Sequence, residues 1–302
     1  KRKKSEYSAK DIEVLEGLEP VRRRPGMYIG GSDEAAMQHL VAELLDNAMD
    51  EAVAGEANRI EIHLEASDTV TISDNGRGIP VGSHPKYKTK SALEVIMTSL
   101  HSGGKFGGKA YKISGGLHGV GLSVVNALSE SLKVEVIRDG KLWSQNYTKG
   151  NPATKLKECR PKNKRKGTSI TFTPDFDIFP KDARFRPQQL YKMARSKAYL
   201  FKGIEVRWTC NPTLLKKGDA TPEKDRLHFP GGLLDYLAYK MEGFTPLNVT
   251  PFSGQAPINR SDGNIEWAIS WSNESDGFIE SFCNTVPTPL GGTHEVGLRN
   301  AL

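Results

Sequence analysis

Apolar positions along this chain recur with two different periods. Leu40, Val41, Leu44, Leu45, Ala48 and Ala52 return at i, i+3/i+4 and i+7, the spacing of one helix face, and Gly55 stands where a C-cap belongs. Ser32 or Asp33 is placed to cap the start of that helix. Just downstream the period drops to two. Ile60, Ile62 and Leu64 alternate with Glu61 and His63, and Val70 and Ile72 with Thr71 and Ser73, predicting two strands of a hairpin or meander. Further helices are predicted over residues 92–100 and 120–128, and alternating strands over 132–138, 141–147 and 168–173. Near the start, Ile12, Val14, Leu15 and Leu18 predict a short helix ending at Gly17 or Pro20. Residues 22–30 carry turn punctuation and no period.

Helices laid against one antiparallel-leaning sheet predict an α+β sandwich rather than a parallel doubly wound sheet. Pro, Lys, Gly and Asp cluster between residues 210 and 230, and strands follow over 265–271 and 278–284, so a second domain is expected. Gly291-Gly292-Thr293-His294 opens a last helix. A length of 302 residues suits two cores. No internal repeat is visible. No run of eighteen apolar residues occurs, so no membrane span is expected. Lys1-Arg2-Lys3-Lys4 leads into polar residues rather than the apolar core of a secretory signal. Cys159, Cys210 and Cys283 stand far apart, which argues against zinc or a disulfide framework and fits a reducing cytoplasm. The net charge of +6 is compatible with a polyanionic partner without requiring one, and the basic run at residues 162–166 reads as a solvated loop.

Three short motifs change that picture. In Glu43-Leu44-Leu45-Asp46-Asn47, Glu43 and Asn47 lie four apart and share a helix face, either as a site or as surface polar residues of an amphipathic helix. In Asp74-Asn75-Gly76-Arg77-Gly78, an Asp at a strand end can accept from an exocyclic amine while glycine backbone passes close to a ring, or the segment is a plain turn. In Gly115-Gly116-Leu117-His118-Gly119-Val120-Gly121, successive backbone N–H groups at a helix start favour phosphate. The glycine order is not that of a dinucleotide fingerprint, and no Gly-Lys-Ser/Thr follows. His118 reads as a loop-packing residue.

The ordered set resembles the Bergerat, or GHKL, ATP-binding fold of heat-shock chaperones, mismatch-repair ATPases, sensor histidine kinases and type II topoisomerase B subunits. Residues 21–30, His101-Ser102-Gly103-Gly104-Lys105-Phe106, residues 115–128, Gly167-Thr168-Ser169 and Gly291-Gly292-Thr293-His294 are similar to the bacterial topoisomerase B subunits in particular. Gly17-Leu18-Glu19-Pro20 and residues 286–292 look more like the topoisomerase IV side than the gyrase side. The resemblance implies an N-terminal dimerisation arm over 1–14, a GHKL domain over 15–215 and part of a ribosomal-S5-like transducer domain over 216–302. It implies ATP and Mg²⁺ as cofactors, with Glu43 as the general base and Asn47 as the metal ligand. Asp74 would hold the adenine amine with Thr168 in support. Gly78, Ile79 and Pro80 would line the base pocket, with Arg77 and Arg138 at its mouth. Lys105, Tyr111, Gly116, Leu117, His118, Gly119, Val120, Gly121, Leu122 and Ser123 would form the lid and phosphate loop. Tyr7, with Ile12, would belong to an arm entering a partner's site, so ATP binding and homodimer closure would be linked.

The implied partners are the A subunit of topoisomerase IV and a DNA duplex captured for strand passage, with aminocoumarin-type inhibitors as possible ligands. The family's Gln-Thr-Lys loop and acidic Asp-x-Asp cleavage domain are not found in the 302 residues, and Asp175-Phe176-Asp177 reads as structural. The expectation is therefore a fragment that binds ATP, turns it over weakly and cannot cleave or pass DNA by itself.

Overall fold

Strand alternation in this chain is resolved by a sheet with one covered and one open face. A computed structural model describes residues 8, 12–104, 119–160, 165–258, 263–273 and 277–302. Helices α1 (Glu19–Arg23), α2 (Gly26–Ile29) and α3 (Glu34–Val53) precede the hairpin β1 (Arg59–Leu64) and β2 (Val70–Asp74). Then come α4 (Ala92–Thr98), α5 (Gly121–Ala127), β3 (Ser129–Arg138), β4 (Lys141–Thr148), β5 (Asn151–Pro152), β6 (Lys157–Cys159) and β7 (Gly167–Pro174). Helix α6 (Pro187–Leu200) leads to β8 (Glu205–Cys210) and β9 (Lys224–Leu227). The last stretch holds α7 (Leu233–Lys240), β10 (Phe252–Pro257), β11 (Asn264–Ile269), β12 (Phe282–Cys283), β13 (Val286–Pro287) and α8 (Thr293–Ala301).

Among the described residues the main sheet has nine strands in the order β5-β4-β3-β7-β2-β1-β8-β9, with β6 added beside β4. Its pairings are antiparallel except for β1 with β8. Ile60, Ile62, Ile72, Val134, Val136, Ile170, Phe172, Val206 and Trp208 are buried, and they join α3, α5 and α6 in one core. The alternate positions face away from the helices and are tied to one another. Ser73 donates to Ser169 at 2.7 Å, and the hydroxyl pairs Thr71–Thr171 and Thr69–Thr173 each meet at 2.9 Å. One face wet and one face covered is what period-two alternation demands.

Helix α3 starts and stops as its sequence predicts. The Asp33 carboxylate accepts from the Ala36 N–H at 2.8 Å, and Gly55 follows the last turn at φ +76°. The N-terminal expectation is corrected. Residues 12–16 are not helical, and a helix begins at Glu19, after Gly17 at φ +59°. Pro20 sits in the first turn of that helix, where its missing N–H costs nothing, rather than at its end. The aperiodic stretch 22–30 likewise holds the end of α1 and all of α2, helices too short to display a period. Farther on, the strand expected over 278–284 shrinks to Phe282–Cys283, paired across a tight turn with β13. Strand β9 lies past residue 215, where the sequence placed the end of the first domain, and it extends the main sheet.

Two local arrangements fix the ends of the sheet near the helices. Arg22 donates to the Ala127 carbonyl at 2.6 Å and to Asp175 at 2.7 Å, locking α1 to the end of α5. Burial works to raise the Asp175 carboxyl, but the Arg22 guanidinium, the Asp177 N–H and Lys149 together outweigh it and hold the group below its ordinary value. Lys149 lies 3.1 Å from Glu130, 3.6 Å from Asp175 and 2.8 Å from Asp177, so an ammonium fills the centre of this carboxylate cluster. Asp175-Phe176-Asp177 is thus structural, as expected. At the other point, Gly167 opens β7 at φ +128°, and a Cβ there would stand 2.0 Å from the Asp74 carbonyl oxygen.

Urea denaturation of two variants tests these points. Arg22→Met leaves buried Asp175 with the Asp177 N–H and the more distant Lys149, and should cost about 2–3 kcal/mol. Gly167→Ala forces a side chain into backbone at a left-handed φ, and should cost at least about 3 kcal/mol or prevent folding. A midpoint within experimental error of the parent's would overturn either reading.

Candidate active site

The polar edge of α3 supplies one wall of the site. Glu43 and Asn47 project one turn apart and are both half-buried, while Leu44, Leu45 and Ala48 pack into the core beneath them. The next position in that register is Glu51, which the motif reading does not include. Its signal lies in the spacing, because Glu43, Asn47 and Glu51 form an unbroken i, i+4, i+8 row.

Glu51 accepts from the Arg77 backbone N–H at 2.9 Å and from its guanidinium at 2.8 and 3.2 Å. A two-pronged charged pair of this kind fixes orientation as well as attraction. Arg77 therefore lies along α3, and its clamp shapes the turn that follows β2. A Cβ at Gly76 would stand 2.6 Å from the Glu51 carboxylate and 2.9 Å from that of Asp74. Only glycine lets this turn pass between the two acids.

Asp74 ends β2 with its carboxyl turned back on the turn. Its Oδ1 accepts from the Gly76 N–H at 2.8 Å and, at longer range, from the Thr168 N–H at 3.4 Å. Burial pushes the Asp74 carboxyl up to about 6; the Gly76 N–H opposes the rise and the Glu51 carboxylate adds to it. Thr168 accepts through its hydroxyl from the Ile79 N–H at 3.2 Å. Gly78 has φ +78° and is wedged between Val136 and the Gly167 carbonyl, and its own carbonyl accepts from Arg138 at 2.9 Å. Ile79 packs on the edge of the core, and Pro80 is exposed. Asp74, Arg77, Gly78, Ile79, Pro80, Arg138 and Thr168 are thus brought together by the ends of β2, β3 and β7.

The glycine motif meets α3 from the opposite side. Gly119 has φ +61°, and α5 begins at Gly121 with no side chain capping its first turn. A Cβ on Gly121 would lie 2.2 Å from Glu43 Oε2, so the carboxylate rests against the first residue of α5. Ser123 is buried and donates to the Val120 carbonyl at 2.9 Å, and Leu122 packs against the core. Tyr7, Lys105, Tyr111, Gly116, Leu117 and His118 lie outside the described residues, as does most of the basic run at 162–166.

Taken together, the site sets an acid with a raised pKa at one end of a wall and a carboxylate beside an uncapped helix start at the other. Asn47 stands between them. Such a set can accept from an amine, polarise a water and receive an anion.

A family model described as histidine kinase-, DNA gyrase B- and HSP90-like ATPase matches residues 32–178, and one described as DNA gyrase B matches residues 232–302. The B subunit of DNA topoisomerase 4 from Caulobacter vibrioides is 56% identical over 301 residues, covering 98% of this chain and 43% of that protein. The B subunit of DNA gyrase from Halalkalibacterium halodurans is 42% identical over 303 residues, covering 100% of this chain and 46% of that protein. The chain therefore spans less than half the length of these curated relatives. Among solved structures, the 43K ATPase domain of Thermus thermophilus gyrase B in complex with an aminocoumarin aligns with a TM-score of 0.78 at 34% identity. That alignment covers 94% of this chain and 70% of that one. By these similarities the chain belongs to the bacterial type II topoisomerase B-subunit family, within the GHKL ATPases, and it stands nearer the topoisomerase IV members than gyrase B.

Proposed function

We propose that this chain is the ATP-binding and ATP-hydrolysing region of a topoisomerase IV B subunit, acting in the cytoplasm. The observation that carries the reading is the contact of the Glu43 carboxylate with the start of α5, on the same wall as Asp74. Asp74 accepts from the adenine amine, with Thr168 holding its orientation, and Gly78, Ile79 and Pro80 flank the base. Glu43 orients the attacking water and takes its proton. Asn47 offers a carboxamide oxygen of the hard type that suits Mg²⁺, an ion that needs few protein ligands because it keeps much of its water shell. Bound there, Mg²⁺ would offset the charge of the phosphate oxygens. Gly119, Val120 and Gly121 present backbone N–H groups to the phosphates; Lys105, Tyr111, Gly116, Leu117 and His118 complete the lid and loop. Arg77 acts through Glu51 to hold the turn, and Arg138 holds Gly78 at the pocket mouth.

Residues 1–14 would serve as the arm, with Tyr7 reaching a second copy; the nucleotide domain starts at residue 15 and, because β9 extends its sheet, runs past 215 to Leu227, and the residues after it belong to the transducer. In the whole protein, ATP-driven closure of the homodimer captures a DNA duplex for passage through a break made with the topoisomerase IV A subunit. The Thermus relative is in complex with an aminocoumarin, which supports binding of that class to this chain. A gyrase B identity is the second reading, favoured by the DNA gyrase B match over residues 232–302 and disfavoured by the lower identity to the Halalkalibacterium protein.

In the full-length protein, Glu43→Gln should lower kcat for ATP by at least about 100-fold, with the nucleotide Kd within about threefold. Hydrolysis at the parent rate would remove Glu43 from the role of base. Gly121→Ala should fold, because the atom in the way is the far end of a flexible side chain, yet it should slow hydrolysis about tenfold or more by displacing that carboxylate.

The pH dependence of binding follows from Asp74. Its carboxyl is raised to about 6 in the free protein, so below that pH it is protonated and must lose its proton to hold the adenine amine as a carboxylate. The ATP Kd should therefore rise about tenfold per pH unit below about 6 and level off above it, while Asp74→Asn should bind weakly with little slope. A flat wild-type profile from about pH 5 to 8, measured by calorimetric titration, would contradict the assignment.

A further inference from the structure

Helix α6 carries a lysine that the nucleotide site does not use. The Lys197 side chain is only 7% exposed, and its ammonium lies 2.6 Å from Asp46 Oδ1 on α3. The same ammonium donates to the Thr285 carbonyl at 2.7 Å. Asp46 immediately precedes Asn47, and Thr285 belongs to the two-residue turn between β12 and β13 in the C-terminal part of the chain. One buried cation thus bridges the helix of Glu43 and Asn47 to an element outside the main sheet.

The turn it holds is unusual. Asn284 has φ +49° and Thr285 φ +70°. Two positive φ values suit a tight hairpin turn, and asparagine accepts that conformation readily, but a β-branched threonine does not. Strained backbone of this kind persists where surrounding contacts hold it, and the lysine is such a contact. Other groups along the same seam are less directional. Tyr199 of α6 stacks on Phe229 at 3.7 Å and leans on Tyr236 and Tyr239, and Lys202 pairs with Glu266 of β11 at 2.6 Å. Stacked rings tolerate small sliding movements. A buried ammonium with short contacts to two separate elements does not, because losing either leaves it poorly compensated.

We propose that Lys197 is a positioning residue that couples α3 to the β12–β13 turn, so that movement of the helix bearing Glu43 and Asn47 is transmitted to the C-terminal part of the chain. The coupling is reciprocal: fixing the turn also fixes the register of α3 against α6. This inference rests on the reading of α3 as the nucleotide helix for its functional meaning, though not for its mechanical part.

The protein provides its own probes. Cys159 of β6 and Cys283 of β12 are exposed and Cys210 is buried, so spin labels on the two exposed thiols report the distance between the main sheet and the turn. The labelled parent, checked for an unchanged melting temperature, should give one narrow distance distribution. Lys197→Met and Asp46→Asn should each at least double its width. An ATP analogue with Mg²⁺ should shift the parent's mean distance by more than twice the shift seen in either variant, while its Kd changes less than about threefold. Lys197→Arg, which keeps the charge, should recover most of the narrow distribution. Unchanged width and an equal shift in the variants would overturn the proposal. If Lys197→Met fails to fold, Asp46→Asn decides, since Asp46 is partly exposed and its removal leaves a lysine still bonded to Thr285. A parent that binds no nucleotide would defeat the ATPase reading, while the nucleotide-free widths would still decide the coupling.

Discussion

Helix α3 has to satisfy two demands at once. Its apolar face must be buried against the sheet, and its polar edge must remain open enough for chemistry. More than half of its 20 residues are buried, including Met37, Leu40, Leu44, Leu45 and Met49, so the helix cannot turn about its axis without exposing the core. Because positions four apart stack along a helix, locking the apolar face also aims Glu43, Asn47 and Glu51 along one line. The rest of the site is assembled against that line: Arg77 clamps to Glu51, α5 begins against Glu43, and the turn after β2 fits between Glu51 and Asp74.

Glycine makes this crowding possible at a few points only. Gly167 lets β7 start against the backbone of β2, and Gly121 lets α5 start against a carboxylate. At the first the obstructing atom is rigid backbone, and at the second it is the end of a mobile side chain. The same residue type is therefore structural in one place and bound up with the chemistry in the other. Close approach also sets the electrostatics. Asp74 has lost most of its water and sits near Glu51, so its carboxyl is raised although two N–H groups point toward it.

The part of the chain that precedes α6 is tied down by charge in a different way. Arg22 and Lys149 neutralise Asp175, Asp177 and Glu130, and in doing so join α1, the end of α5 and the end of β7. Three carboxylates in that geometry resemble a cation site, but the cation is supplied by a lysine of the chain. The seam with the C-terminal part relies instead on aromatic stacking around Tyr199 and on Lys197.

Much of this was legible in the sequence. Period 3.6 located α3 with its cap and stop, period two located β1 to β4 and β7, and the three motifs with their resemblance named the family. Short-range patterns carry that information because they are dictated by local geometry. The sequence did not show α1 and α2, which are too short for a period, nor the assignment of β9 to the main sheet. It also did not show which charges meet. Arg77 reads as a pocket-mouth residue until Glu51 is seen to hold it, and Lys197 reads as one more helix cation until Asp46 and Thr285 close around it. Hydrophobic patterning is a property of neighbours in the chain, whereas charge pairs and the pKa of Asp74 depend on distant segments; Arg22 and Asp175 are 153 positions apart. Local spacing determined the elements and the family; only the tertiary packing decided the partners.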